Sequence, residues 1–185
     1  MDDPVIANLI KKYGELQWSD PRYLFESLIE AIISQQLSIK ASDTIFGRFK
    51  KLYNKFPTPK QILKTSDEKL RSAGLSGAKV KYVKSLAEFI ETGQLVLEEL
   101  RNLSDEEVIV QLTKVKGIGR WTAEMTLIFT LRRPDIFSVG DLGLRKAVSR
   151  LYNVDINDFI KIEEISLRWS PNRSMVSRYL WKSLE

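Results

Sequence analysis

The stretch KVKGIGRWTAEMTLIF, Lys114 to Phe129, sets two glycines one residue apart where a helical pattern begins. Gly117 and Gly119 let the backbone turn sharply, with positive φ at low cost. The N–H groups of Gly117, Gly119 and Trp121 then lie at a helix N-terminus, whose dipole favours an anion. Lys114, Lys116 and Arg120 add positive charge around that point. The chemistry on offer is a main-chain grip on a phosphate. A nucleotide-binding loop fits poorly. No strand precedes the glycines, and neither the Gly-x-x-x-x-Gly-Lys-Ser/Thr nor the Rossmann spacing is present. On glycine spacing alone, a tight interhelix connector with solvated lysines accounts for the stretch equally well.

A second reactive candidate lies downstream, in RRPDIFSVGDLGLRKAV. Asp141 falls between an irregular segment and a new helix. Its simplest reading is an N-cap. The same place keeps a carboxylate ionised, because the helix dipole favours negative charge there. Composition narrows the rest. The chain has neither cysteine nor histidine. Disulfides, iron–sulfur clusters, the usual zinc sites, a histidine base and a cysteine nucleophile are all excluded. Acid–base work falls to Asp, Glu, Lys or Tyr.

The elements that must position these residues read as helices throughout. Asp20 caps PRYLFESLIEAIISQQ, with Pro21 at the first helical position. Ser38 starts a helix to about Tyr53, ended by NKFPTP. Ser66 caps a short helix that stops at Gly74, and Ser76 or Gly77 opens one that stops at Gly93. Ser104 and Glu107 form a capping box. Helices follow over Trp121 to Leu131, from Asp141 to about Leu151, over Asp155 to Leu167 and over Arg173 to Leu184. No segment alternates with period two long enough to argue a sheet, so the fold class is all-α. The 185 residues, 43% hydrophobic, suffice for one compact domain or two small lobes. Apolar runs are too short and too broken by charge for a membrane span, and the N-terminus does not read as a signal peptide. The expectation is an intracellular protein, cytoplasmic or nucleoid-associated, or nuclear in a eukaryote. A net charge of +5 suits a polyanionic partner.

Leu112, Val115, Gly117, Ile118, Gly119 and Ala123 together resemble the helix–hairpin–helix motif, which holds the DNA backbone without reading sequence. In such hairpins a monovalent cation, Na+ or K+, bridges to the phosphate. The resemblance gives it the main-chain carbonyls of Thr113, Val115 and Ile118. Hairpin, Gly/Pro-rich loop, then Asp resembles the signature of the helix–hairpin–helix DNA glycosylase superfamily. That resemblance implies the HhH-GPD fold, two helical lobes with a cleft between them. It makes Asp141 the essential carboxylate, facing the anomeric carbon of a flipped nucleotide. Lobe 1 is expected over about 20–100 and lobe 2 over about 104–185 with the N-terminal segment, to within a few residues.

Bifunctional members carry a lysine where this chain has Trp121, so no Schiff base can form there. The expectation is a monofunctional enzyme that activates water, without an iron–sulfur cluster. GIGRWTAEMTLIFTL, EAIISQQLSIKAS and WSPNRSMVSRYLW resemble the alkyl-purine branch, the 3-methyladenine DNA glycosylase II family. By position Gln36 is the wedge that enters the minor groove, flanked by Gln35 and Leu37, with Ser38 reaching the groove; standing alone, SQQLS reads as a polar turn. Trp121, Met125 and Phe129 would offer a π face to the electron-poor base, although the same i, i+4, i+8 spacing is what a buried helix face shows. Arg145 and Lys146 would hold phosphates or be solvated. Asn172 and Met125 stand where the family often has aromatics, and the chain is too short for the extra N-terminal β domain of some bacterial members. The implied partner is duplex DNA with damaged bases, bound by a monomer with no membrane association. Other readings are a glycosylase for hypoxanthine, ethenoadenine, uracil or 8-oxoguanine, or a non-enzymatic DNA-binding module.

Overall fold

A computed structural model describes residues 3–18 and 23–185. The helices are α1 (Pro4–Tyr13), α2 (Leu24–Ser34), α3 (Ile39–Lys51), α4 (Pro59–Lys64), α5 (Asp67–Ser72), α6 (Gly77–Glu91), α7 (Asp105–Thr113), α8 (Arg120–Phe129), α9 (Leu142–Tyr152), α10 (Phe159–Leu167) and α11 (Arg173–Lys182). A 3-10 turn spans Glu99–Arg101. Among the described residues there is no strand, and no helix is long and apolar enough to cross a membrane.

Local chemistry explains most of these ends. Ser38, Ser66, Ser76 and Ser104 each accept a hydrogen bond from the backbone three residues on, and Glu107 closes the capping box with Ser104. The expected cap Asp20 and Pro21 lie outside the described residues. Two helices were not foreseen. In α1, Asp3 caps and Pro4 opens the helix. In α4, a Thr58–Gln61 capping box and Pro59 do the same. NKFPTP reads as a terminator, yet a proline at the first helical position loses nothing, because its missing N–H would have no partner there. The helix expected from Asp155 begins instead at Phe159, because Asp158 caps it while Asp155 accepts from Asn157 N in a separate turn.

The chain divides into two compact units, Met1–Pro21 with Leu127–Glu185, and Arg22–Thr126. This division places α7 and the glycine turn with α2 and α3, on the other side of the boundary expected near 104. In the unit Arg22–Thr126, α6 packs against α2, α4 and α5. It buries Val80, Val83, Leu86 and Ala87, each larger side chain contributing about 1.5–3 kcal/mol. In the other unit, α9 packs on α10 and α11, and α11 on α1. Its core gathers Ile6, Leu144, Val148, Ile162, Trp169 and Leu180.

Candidate functional site

In the unit Arg22–Thr126, the glycine turn and the turn between α2 and α3 are tied together. Gly117 has φ +92°, and a Cβ there would lie 2.2 Å from the Tyr82 ring. Glycine is thus required by both conformation and space. Gly119 differs: its φ is unremarkable and a Cβ would meet nothing within 4 Å. The protein's own packing does not demand glycine there, which leaves the backbone open to an outside partner at the start of α8. Val115 and Ile118 are buried and hold the turn from beneath, with Ile118 N donating to Val115 O at 3.0 Å. Thr113 is exposed and turns its hydroxyl back to Ile109 O. Lys116 is exposed.

Arg120 departs from its expected role. Its guanidinium makes two bonds to the Glu106 carboxylate, at 3.0 and 3.1 Å, and one from Nε to Glu124 at 2.9 Å. Donating to Glu106 pushes the arginine's pKa further up. Its charge is met by carboxylates of its own unit, with the side chain still 59% exposed. Gln35 departs too, because its side-chain amide donates to Gly117 O at 2.7 Å. Gln36 sits at the tip of the α2–α3 turn, exposed and with φ +56°. A left-handed glutamine costs roughly 1 kcal/mol. Ser38 is exposed but its hydroxyl caps α3.

Helix α8 carries Trp121, Met125 and Phe129. Trp121 is 48% exposed, Phe129 44%, and Met125 half-buried, whereas Ala123, Leu127 and Ile128 are fully buried. The buried-face reading of the stripe therefore fails: the core takes the other side of the helix.

In the unit Met1–Pro21 with Leu127–Glu185, Asp141 is both the N-cap of α9 and the centre of a polar contact. Its Oδ1 accepts from Leu144 N at 2.8 Å and from the Trp181 indole N–H at 2.9 Å. Gly143 makes room: a Cβ there would lie 3.0 Å from Asp141 Oδ1 and 3.1 Å from the Trp181 ring. The Trp181 ring lies 5.6 Å from that of Phe129, which meets Trp18 edge-on at 6.5 Å. Leu16, Phe129, Arg178, Trp181, Lys182 and Glu185 line a hollow of about 270 Å³. Arg178 donates to the carbonyls of Leu16 and Gln17 and lies 4.2 Å over Trp18. Lys146 is exposed on α9, whereas Arg145 is half-buried. It donates to Ile156 O and covers the Phe159 ring at 4.4 Å.

Residues 29–172 match the family described as HhH-GPD superfamily base excision DNA repair protein. The chain belongs to the HhH-GPD superfamily. It is 38% identical over 182 residues to DNA-3-methyladenine glycosylase 1 of Schizosaccharomyces pombe, covering 96% of this chain and 80% of that one. The solved structure of the S. pombe 3-methyladenine DNA glycosylase Mag1 with abasic DNA superposes with a TM-score of 0.87 over 98% of this chain and 91% of Mag1. A DNA-3-methyladenine glycosidase from Bacillus halodurans, 39% identical, gives 0.87 over 98% and 84%. Within this HhH-GPD chain, sequence reasoning quoted Trp181 without a role and passed over Gly143 and Trp18. An indole at the end of WSPNRSMVSRYLW was a usable signal; its partner, 40 residues away, was not.

Proposed function

We propose that this chain is a monofunctional DNA glycosylase of base excision repair. It hydrolyses the N-glycosidic bond of alkylated purines, of the 3-methyladenine and 7-methylguanine type, flipped out of duplex DNA. The observation that carries the reading is likeness along nearly the whole chain to proteins named as 3-methyladenine glycosylases, with Trp121 in place of the lyase lysine.

Alkylation at N3 or N7 places a positive charge on the base and makes it a good leaving group, so no strong general acid is needed. Asp141 stabilises the oxocarbenium ion as the bond breaks and directs water to C1′. The two N–H groups on its Oδ1 keep the carboxylate in one orientation, an arrangement that suits both tasks. Trp121, Met125 and Phe129 offer the base a π and thioether surface. Gln36 fills the space the base leaves. The main-chain N–H groups of Gly117 and Gly119 grip the strand, with Lys116, Lys146 and Ser38 beside it. Main-chain carbonyls are the oxygen donors a hard monovalent cation prefers. Thr113, Val115 and Ile118 would hold Na+ or K+ there and add positive charge facing a phosphate.

The test is release of free bases from methylated duplex DNA, separated by chromatography. Wild type is expected to free methylated purines and leave the strand intact. Asp141→Asn is expected to slow release by roughly 1,000-fold while still binding DNA. A wild type that frees no methylated base sinks the assignment, and one that nicks the strand unaided sinks its monofunctional part.

A further inference from the structure

The wedge turn and the hairpin are 82 residues apart in sequence, yet one side chain joins them. Helix α2 ends at Ser34, and the chain folds back over Gln36, with Leu37 N donating to Ser34 O at 3.1 Å. The base of this turn is held on three sides. Lys79 Nζ donates to Ile33 O at 2.7 Å, placing a cation on the last carbonyls of α2. Ser34 Oγ is hydrogen-bonded to Ser42 Oγ and so pins α2 to α3. Gln35 Nε2 donates to Gly117 O.

The hairpin end of that bond is equally constrained. The peptide unit between Gly117 and Ile118 is engaged at both poles, its carbonyl by Gln35 and its N–H by Val115 O. The Tyr82 ring lies directly under Gly117. Lys79 and Tyr82 stand three residues apart on α6, hence on one helix face. One helix thus braces the wedge turn through the first residue and the hairpin through the second. The Gln35 bond closes the remaining side of this frame.

We propose that Gln35 is a positioning residue which fixes the Gln36 wedge at a set height above the phosphate-gripping backbone of the hairpin, so that backbone capture and base extrusion proceed as one rigid movement. This rests on the glycosylase reading above. Without the Gln35 donor, Gly117 O loses a partner and the turn gains freedom to recede when it meets the base stack. The hairpin still finds DNA, but extruding a paired base becomes harder. A base that is already unpaired asks nothing of the wedge and escapes the defect.

The experiment compares single-turnover excision of one methylated purine from two duplexes, one with the lesion paired and one with it opposite an abasic gap. Wild type, Gln35→Met and Gln35→Glu are used; both variants keep the length of the side chain and remove the donor. The variants are expected to lose roughly tenfold on the paired duplex, the scale of one hydrogen bond, and less than about twofold on the unpaired one, with Tm within a few degrees of wild type. Equal losses on both duplexes, or none on either, overturn the proposal. A wild type inactive on both duplexes overturns instead the glycosylase reading on which it rests.

Discussion

The α2–α3 turn with the glycine hairpin and the region around Asp141 are built from different parts of the chain. The first presents backbone, braced by the side chains of Gln35, Lys79 and Tyr82. Its contacts are a carbonyl at Gly117, N–H groups opening α8, and a turn whose shape depends on positive φ at Gln36 and Gly117. The second is made of side chains. Asp141, Trp181, Phe129 and Trp18 touch one another, and Gly143 matters for the space it leaves. A backbone grip suits a partner whose phosphates repeat regardless of sequence. A side-chain cluster suits one chemical event at one place. The difference also sets how each region should fail: one through geometry shared with the fold, the other through chemistry with the fold intact.

The largest effect expected is the loss of rate in Asp141→Asn, with DNA binding retained. If binding and excision fell together, the two regions would not be separable in this way. Gly117→Ala comes next. A left-handed alanine and a contact with Tyr82 far inside van der Waals distance should cost about 2–4 kcal/mol, seen as a Tm lower by about 10 °C. Trp181→Phe keeps a ring beside Phe129 and deletes the donor to Asp141. Excision should slow roughly tenfold with little change in DNA affinity or Tm, as single-turnover kinetics and titration would reveal.

Asp3 provides a stability measurement for the unit that holds Asp141. Burial opposes ionisation of its carboxyl, but hydrogen bonds from Trp169, Tyr152, Ile6 and Val5 outweigh burial and hold its pKa below the ordinary value. A depressed folded pKa stabilises above the unfolded value, near 3.9, and that contribution disappears as pH falls through the folded one. Tm should therefore drop on acidification below about pH 4, and Asp3→Asn should flatten that slope and lower Tm at pH 7 by a few degrees. The smallest effect on stability is expected at Gly119→Ala, since a Cβ there meets open space. Tm should barely move, while affinity for abasic duplex falls roughly tenfold, as for one lost bond to a charged group. Loss of stability without loss of affinity would reverse the assignment of the two glycines.

The legible part of the molecule was the local part. Serine caps, glycine stops and the Ser104–Glu107 box depend on neighbours within a few residues, and the helices they bound were readable. Helix α4 was missed because six residues are too few to show an apolar period. Arg120 and Gln35 are expected beside DNA, and Arg145 either at a phosphate or in solvent, because they are polar and close to the right motifs. Within the protein they meet Glu106, Gly117 and Ile156, which lie 14, 82 and 11 residues away, and only Glu124, four residues after Arg120, is a near neighbour. Nothing in a residue's own vicinity states which distant group will satisfy it. The division at 126–127 escaped for a related reason, since it falls within α8, where no break in composition marks it.

Gln36 holds a backbone shape that glycine would adopt with less strain. Stability alone would be served as well by the smaller residue at that tip. A glutamine there suits contact with a partner better than it suits the fold.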